Sequence, residues 1–249
     1  MQSHYNSELK KLMHGFPNER SFLSSCLSSL PSLPYAYGLP KVHKLNTPLR
    51  PIISNVNSPS YGLSKKLAKM LSPLLGSFSN SHLRHNSDLI SRLINVIPGD
   101  SKFISFDVSS LFTNVPLEQT LKFLERKLCN VEFDIPLNHL CLMKLLKLCT
   151  KNLYFEFNDE YYEQIYGIPM GNPLSPVLAN FFLEHVESEF LPLYVGVKPL
   201  LWLRYVDDIL CLIPHDFNID SYLYFLNNIF DLLKLCHSGI WSTLVGHRV

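Results

Sequence analysis

The sequence has no apolar run of the roughly 18 uncharged residues that a membrane helix needs. Its longest candidate, residues 200–213, is broken by Arg204, Asp207 and Asp208. The first 25 residues lack the apolar stretch of a secretory signal and carry charged and polar groups instead. No C-x-x-C pair occurs among the six cysteines, Cys26, Cys129, Cys141, Cys149, Cys211 and Cys236, and most of them sit inside apolar runs. Those spacings argue against a structural zinc site and for buried, reduced thiols. Charged residues are few, at 17%, against 47% hydrophobic, which excludes wholesale disorder. There is no internal repeat and no basic import signal. The chain is therefore expected to be soluble, with no membrane partner, and its 249 residues suffice for one large domain or two modest ones.

What charge there is divides unevenly. Residues 1–100 hold 11 Lys and Arg against 4 Asp and Glu, a net +7, whereas residues 101–249 hold 11 against 17, a net −6. A basic half suits a polyanion, whose phosphates bind Lys and Arg and release counterions. An acidic half suits divalent metals. An ordinary solvated surface of uneven charge explains the same asymmetry, so composition alone does not choose.

Local patterns order the chain. Residues 1–34 read as a peripheral segment with a short helix near Ser7–Met13. YAYGLPKVHKLNTPLRPIISNV, residues 35–56, reads as strand, basic turn and a second strand over 51–56. Leucines and Met70 at helical spacing predict a helical stretch over 60–97. Phe103–Val108 reads as a buried strand closed by a Ser-Ser turn. Helices are predicted from Leu117 to Leu128, with Pro116 at the start, and from Leu137 to Thr150. Residues 153–166 read as a hairpin turning at Asn158-Asp159. Ser175–Phe190 follows a Gly/Pro loop as an amphipathic helix capped by Ser175. Residues 201–213 form an apolar ribbon, and 221–235 a last helix.

Two adjacent carboxylates, Asp207 and Asp208, sit between WLRYV and ILCLI, two runs that favour burial. Such a placement is costly unless a tight hairpin presents them at a turn. An ordinary Asp-Asp turn would meet that requirement without a metal. Asp107 adds weight, because it too ends an apolar strand. Should that strand lie beside the hairpin in one antiparallel sheet, the three carboxylates would cluster. A cluster of that kind suits two Mg²⁺ ions, or Mn²⁺ in their place, about 3.5–4 Å apart, as used for in-line phosphoryl transfer.

Four segments then occur in one order: YGLPKVHK (37–44) with PLRPIIS (48–54), FDVSSLFTNVP (106–116), GIPMGNPLSPVLANFF (167–182) and YVDD (205–208). In this the chain resembles the reverse transcriptases, most closely those of Penelope-like retroelements. The resemblance covers residues 35–233. It implies an α+β fold, the fingers and palm of a right-hand polymerase, with an antiparallel palm sheet backed by helices. It divides the chain into a peripheral segment 1–34, fingers 35–100, palm 101–233 and an atypical tail 234–249. It implies an RNA-directed DNA polymerase that joins dNTPs to a primer 3′-hydroxyl, with an RNA template and a DNA primer as partners. Asp107 and Asp207 match the principal metal ligands, Asp208 the third carboxylate, and Val108 a backbone carbonyl ligand.

The same resemblance assigns nucleotide-binding positions. Arg50 and Lys44, with Lys41 competing, match residues that clamp the triphosphate, a task suited to a guanidinium fork and an ammonium. Phe112 matches a steric gate that leaves no room for a 2′-hydroxyl. Met170 and Gly171 match the loop packing on nucleotide and template, where glycine permits close approach. Tyr205 matches a position near the primer end, although a strand tyrosine is equally explicable as core. Arg204 either touches nucleic acid or pairs with an acidic neighbour.

After Leu233 the family pattern fails: KLCHSGIWSTLVGHRV contains no thumb helices and no GIY-YIG endonuclease motif. Residues 234–249 are accordingly read as an atypical tail, the mark of a truncated element copy, a frameshift or an early end, with its membership of the fold left open. A catalytically incompetent nucleic-acid-binding remnant is the competing function, and a telomerase-like or viral RNA polymerase a third, against which Phe112 argues. An element of this type implies action at nuclear DNA, with the cytoplasm as the other compartment.

Overall fold

The computed structural model describes residues 2–29, 32–42, 45–96, 99–129, 135–151, 153–229 and 234–241, with the side chains of Gln2 and of 237–241 left aside. In chain order the elements are α1 (Gln2–Gly15), α2 (Arg20–Ser24), β1 (Tyr35–Pro40), β2 (Leu49–Ser54), α3 (Tyr61–Leu71), α4 (Asn86–Leu93), β3 (Lys102–Ser109), α5 (Leu111–Asn114) and α6 (Leu117–Cys129). They continue with α7 (His139–Thr150), β4 (Leu153–Phe157), β5 (Glu160–Gln164), α8 (Ser175–His185), β6 (Leu201–Tyr205), β7 (Asp208–Ile213), α9 (Ile219–Asn227) and β8 (Lys234–Trp241).

These elements form two compact units that interleave along the chain. The first joins Met1–Pro73 to Val115–Leu178, and the second joins Leu74–Asn114 to Ala179–Val249. The units thus do not follow boundaries drawn at residues 34, 100 and 233, because contacts between distant segments decide compactness and neighbouring sequence does not.

In the first unit a four-stranded sheet runs in the order β2-β1-β4-β5. The hairpin between β4 and β5 turns on Asn158 (φ 52°) and Asp159 (φ 62°), two residues that tolerate the left-handed region a two-residue turn demands. Leu63 and Leu67 of α3, Phe123 and Leu124 of α6, and Leu145 and Leu146 of α7 are fully buried in this unit. The segment 1–34 is not peripheral: Tyr5, Leu9 and Leu23 are buried, and the Tyr5 hydroxyl donates to the Cys26 carbonyl at 3.3 Å. Each buried Leu side chain contributes about 1.5–3 kcal/mol.

The second unit is built on a sheet ordered β6-β7-β3-β8. Ile104 and Phe106 of β3, Leu203 of β6 and Cys211 of β7 are buried, and Phe181 and Phe182 from the end of α8 are fully buried in the same unit. The stretch 60–97 is not one helix. Pro73 has no amide to continue α3, Ser72 turns its hydroxyl back to the Ala68 carbonyl at 2.6 Å, and Gly76 takes φ 84° before α4 restarts the helix. The helix begun at Ser175 widens to a π-helical turn at Val186–Phe190. The last helix stops at Asn227, not at residue 235.

In the tail, residues Lys234–Trp241 form β8 and pair with β3 along its length, with a bulge between Ser105 and Phe106. Asn227 ties this strand to the end of α9: its Oδ1 accepts from the Leu235 amide at 2.6 Å and its Nδ2 donates to the Leu235 carbonyl at 3.2 Å. That stretch belongs to the fold. Residues 242–249 lie outside the described residues.

Candidate active site

The site begins with β3 and β7, the two central strands of the second sheet. Alternation buries Phe106 and Val108 on β3 and leaves Asp107 half-buried on the other face. On β7, Ile209 and Cys211 are buried and Asp208 is exposed. The strands run antiparallel with Asp107 directly opposite Asp208. Residues so opposed share one face of the sheet, with Cβ atoms about 4.5–5.5 Å apart. The Val108 amide donates to the Asp207 carbonyl at 3.1 Å, which binds the turn to β3. The three aspartates thus lie at one end of two central strands.

Asp207 is held on a tight turn. Tyr205 pairs with Asp208, so Val206 and Asp207 are the two turn residues. Val206 has φ 56°, a region a β-branched residue avoids at a cost of about 1–3 kcal/mol. Something must over-determine that conformation, and Arg204 does so from below. Its side chain is 0% exposed; Nη1 donates to the Val206 carbonyl at 3.2 Å and to Asn180 Oδ1 at 2.7 Å, while Nε and Nη2 engage the two oxygens of Glu187 at 2.5 and 3.4 Å. Of the two roles open to Arg204 in the sequence, the structure chooses the acidic partner.

Electrostatics mark the cluster as uncomfortable. Partial burial pushes the Asp208 carboxyl up from its ordinary range, and the charges of Asp207 and Asp107 push it further. Among the described residues no group of three or more His, Cys, Asp or Glu is placed so that it could by itself hold a metal ion. The three aspartates offer hard oxygen donors, the type that suits Mg²⁺, an ion usually held by one or two carboxylates with substrate phosphates completing its shell. Cys236, absent from the sequence reading of the site, is exposed on β8 opposite Asp107, with Sγ 3.9 Å from Asp107 Oδ2.

The remaining candidates distribute between the units. Tyr205 is 47% exposed on β6 and is not core. Phe112 is half-buried on α5, which follows β3 through Ser110 at φ 53°. Both belong to the unit of the carboxylates. Arg50, Met170 and Gly171 belong to the other unit. There the Met170 carbonyl accepts from the Ile53 amide at 2.8 Å, joining the loop to β2. Gly171 (φ 131°) lies so close to β2 that a Cβ would overlap the Ile53 carbonyl oxygen, so protein backbone accounts for its lack of a side chain. The Ser175 hydroxyl donates to the Pro169 carbonyl at 2.7 Å, which ties the start of α8 to the preceding loop. Lys44 lies outside the described residues; Lys41 is half-buried at the end of β1.

Arg50 is exposed on β2 opposite Leu39, and period-2 alternation puts it on the same face as Tyr37 and Tyr35. The β1–β4 and β4–β5 registers add Tyr154 and Tyr161 to that face. All four tyrosines are exposed, from 39% to 68%.

An antiparallel sheet that carries paired aspartates on a hairpin beside a third on the neighbouring strand, together with the helices around it, is consistent with the α+β palm and fingers of a right-hand polymerase. The chain belongs to the reverse transcriptase (RNA-dependent DNA polymerase) family, whose sequence model matches residues 40–236. It is 23% identical over 155 residues to the COX1/OXI3 intron 2 protein of Saccharomyces cerevisiae, covering 59% of this chain and 17% of that protein. Its fold is similar to apo telomerase from Candida tropicalis lacking the C-terminal domain, at TM-score 0.61 and 11% identity over 89% of this chain and 52% of that one. It is also similar to Candida tropicalis telomerase in complex with a fragment of telomeric RNA, at TM-score 0.63 and 11% identity over 84% of this chain and 40% of the other. The chain thus spans about half or less of the relatives it matches.

Proposed function

We propose that this chain is the fingers and palm of an RNA-directed DNA polymerase from a Penelope-like retroelement, acting at nuclear DNA. The observation that carries the reading is the opposition of Asp107 and Asp208 with the Asp207 turn bound to Val108. Three acidic residues at one end of a sheet repel one another, and divalent cations relieve that repulsion. The wording of the four segments, YGLPKVHK through YVDD, supports the retroelement type.

In this reading Asp107, Asp207 and Asp208 would supply carboxylate oxygens to two Mg²⁺ ions, and the Val108 carbonyl would add a neutral ligand. The ions would lower the pKa of the primer hydroxyl and neutralise charge on the triphosphate. The chain's other residues do the rest. Arg50 and Lys44 hold the triphosphate. Phe112 stands beneath the sugar and excludes a 2′-hydroxyl. Tyr205, exposed beside the turn, packs near the primer end. The tyrosine face that carries Arg50 offers stacking surfaces to unpaired template bases.

Primer extension on RNA and DNA templates, with dNTPs and with rNTPs, tests the proposal. The expected result is Mg²⁺-dependent addition of dNTPs on RNA, with rNTPs admitted only by Phe112→Ala. RNA binding that never leads to nucleotide addition would instead define a non-catalytic binding protein.

A further inference from the structure

A charged side chain buried to 0% exposure costs several kcal/mol unless its partners compensate, and replacing such a pair with apolar residues is often neutral for stability. Arg204 and Glu187 are such a pair, so stability alone gives a weak reason for them. Their connections give a better one. Glu187 is fixed from three sides: the Ser79 hydroxyl donates to Oε2 at 2.7 Å, Trp202 Nε1 donates to Oε1 at 3.4 Å, and Arg204 takes both oxygens. It projects from the π-helical turn at Val186–Phe190, an irregularity often found at functional sites. Arg204's own backbone is clamped as well, its amide donating to the Ser81 carbonyl and its carbonyl accepting from the Leu83 amide, each at 2.8 Å. With one edge of the guanidinium committed to Glu187, Nη1 remains for Asn180 and for the carbonyl of Val206, the left-handed turn residue before Asp207.

We propose that Arg204 is a positioning residue for catalysis: anchored by Glu187 and Asn180, it holds the Val206–Asp207 turn in the conformation that aims the carboxylates at their metal ions. Arg204 touches no reacting atom. It acts through the Val206 carbonyl, and only a planar fork reaches Glu187, Asn180 and that carbonyl together. A lysine keeps the charge and loses this geometry. The inference rests on the carboxylates being metal ligands.

Mn²⁺ binding followed by electron paramagnetic resonance tests it, alongside melting temperature and single-nucleotide incorporation. Wild type is expected to bind Mn²⁺ and Asp107→Asn to bind it far more weakly; failure of that comparison would remove the metal reading itself, and the positioning role with it. Given that difference, Arg204→Lys and the apolar double variant Arg204→Met with Glu187→Leu are expected to lose about 10–100-fold in Mn²⁺ affinity, as loss of supporting partners does at metal sites. The double variant should melt near wild type, and both should lower kcat with little change in KM for dNTP. A folded double variant with wild-type Mn²⁺ affinity would overturn the proposal. Should both fail to fold, Asn180→Ala, which leaves the charge pair intact, is expected to weaken Mn²⁺ several-fold, and unchanged affinity there would overturn it equally.

Discussion

Asp107 and Asp208 face each other across the ladder between β3 and β7, two like charges in a position where a sheet ordinarily places complementary ones. That opposition is a cost, and it is one that the proposed divalent cations would relieve. Burial and the neighbouring Asp207 and Asp107 hold the Asp208 carboxyl above its ordinary range. Between the ordinary carboxylate value and the raised one, the folded state binds more protons than the unfolded chain. Stability from this group is present at acid pH and is lost as pH rises through the raised value. Asp208→Asn should therefore stabilise the metal-free protein at neutral pH, by roughly 0.5 kcal/mol for relief of a cross-strand like-charge pair. It should also remove most of the stabilisation that Mg²⁺ gives. Thermal melts with and without Mg²⁺ check both effects; an equal Mg²⁺ response in wild type and variant would contradict them.

Glu184 predicts a second pH effect in the same unit. Its carboxyl is fully buried and pushed up to about 7, mainly by burial, although the Gly76 and Phe78 amides and Arg204 pull it down and Glu187 adds to the rise. Below pH 4.5 the group is protonated in both states and costs nothing; between 4.5 and about 7 the folded state binds more protons, so stability falls as pH rises. The full effect is roughly 3 kcal/mol. Denaturant melts across this range should show the fall in wild type and a flatter profile in Glu184→Gln. Identical slopes would assign the pH dependence elsewhere.

Cys236 offers a chemical handle on the site. It is exposed and its sulfur lies 3.6 Å from the Asp107 carbonyl oxygen. A maleimide on this thiol sets a bulky group against a metal-ligand candidate. Alkylation of a variant keeping only Cys236 among the exposed cysteines should reduce Mn²⁺ affinity by at least tenfold, whereas labelling only Cys129 should not. Mn²⁺ binding unaffected by a Cys236 adduct would separate β8 from the site.

The tyrosine face of the first sheet predicts template affinity. Stacking of a base on an aromatic ring contributes about 1–3 kcal/mol by alanine substitution. Tyr37→Ala and Tyr161→Ala should weaken single-stranded RNA binding to that degree with the salt dependence unchanged. Arg50→Ala should leave that RNA affinity and its salt slope unchanged, because its proposed partner is the incoming triphosphate. Fluorescence anisotropy over a salt series reads both, and tyrosine variants with wild-type affinity would remove the stacking surface.

The strands and hairpins were legible in the sequence because alternation and turn chemistry are local. Phe103–Val108 announced β3, Asn158-Asp159 announced its hairpin, and the Asp207-Asp208 pair could avoid burial only at a turn. Helix ends were less legible where the leucine pattern outlasted the helix, as it does past Pro73. What remained hidden was non-local. Arg204 and Glu187 stand 17 residues apart on different elements, and no periodicity links them. Strand β8, with its Ser-Gly interior, pairs with β3 through backbone hydrogen bonds and a bulge, and neither leaves a mark on residue type. Gly171 was legible as a close approach, but the atom it approaches is the Ile53 carbonyl of its own unit.

The most direct measurement is the rate of single-nucleotide addition to a primer on an RNA template in Mg²⁺, wild type beside Asp107→Asn, with RNA affinity measured on the same preparations. Addition by wild type, none above background by the variant, and RNA bound equally or more tightly by the variant is the predicted result. Equal addition by both proteins would contradict a metal centre built on Asp107.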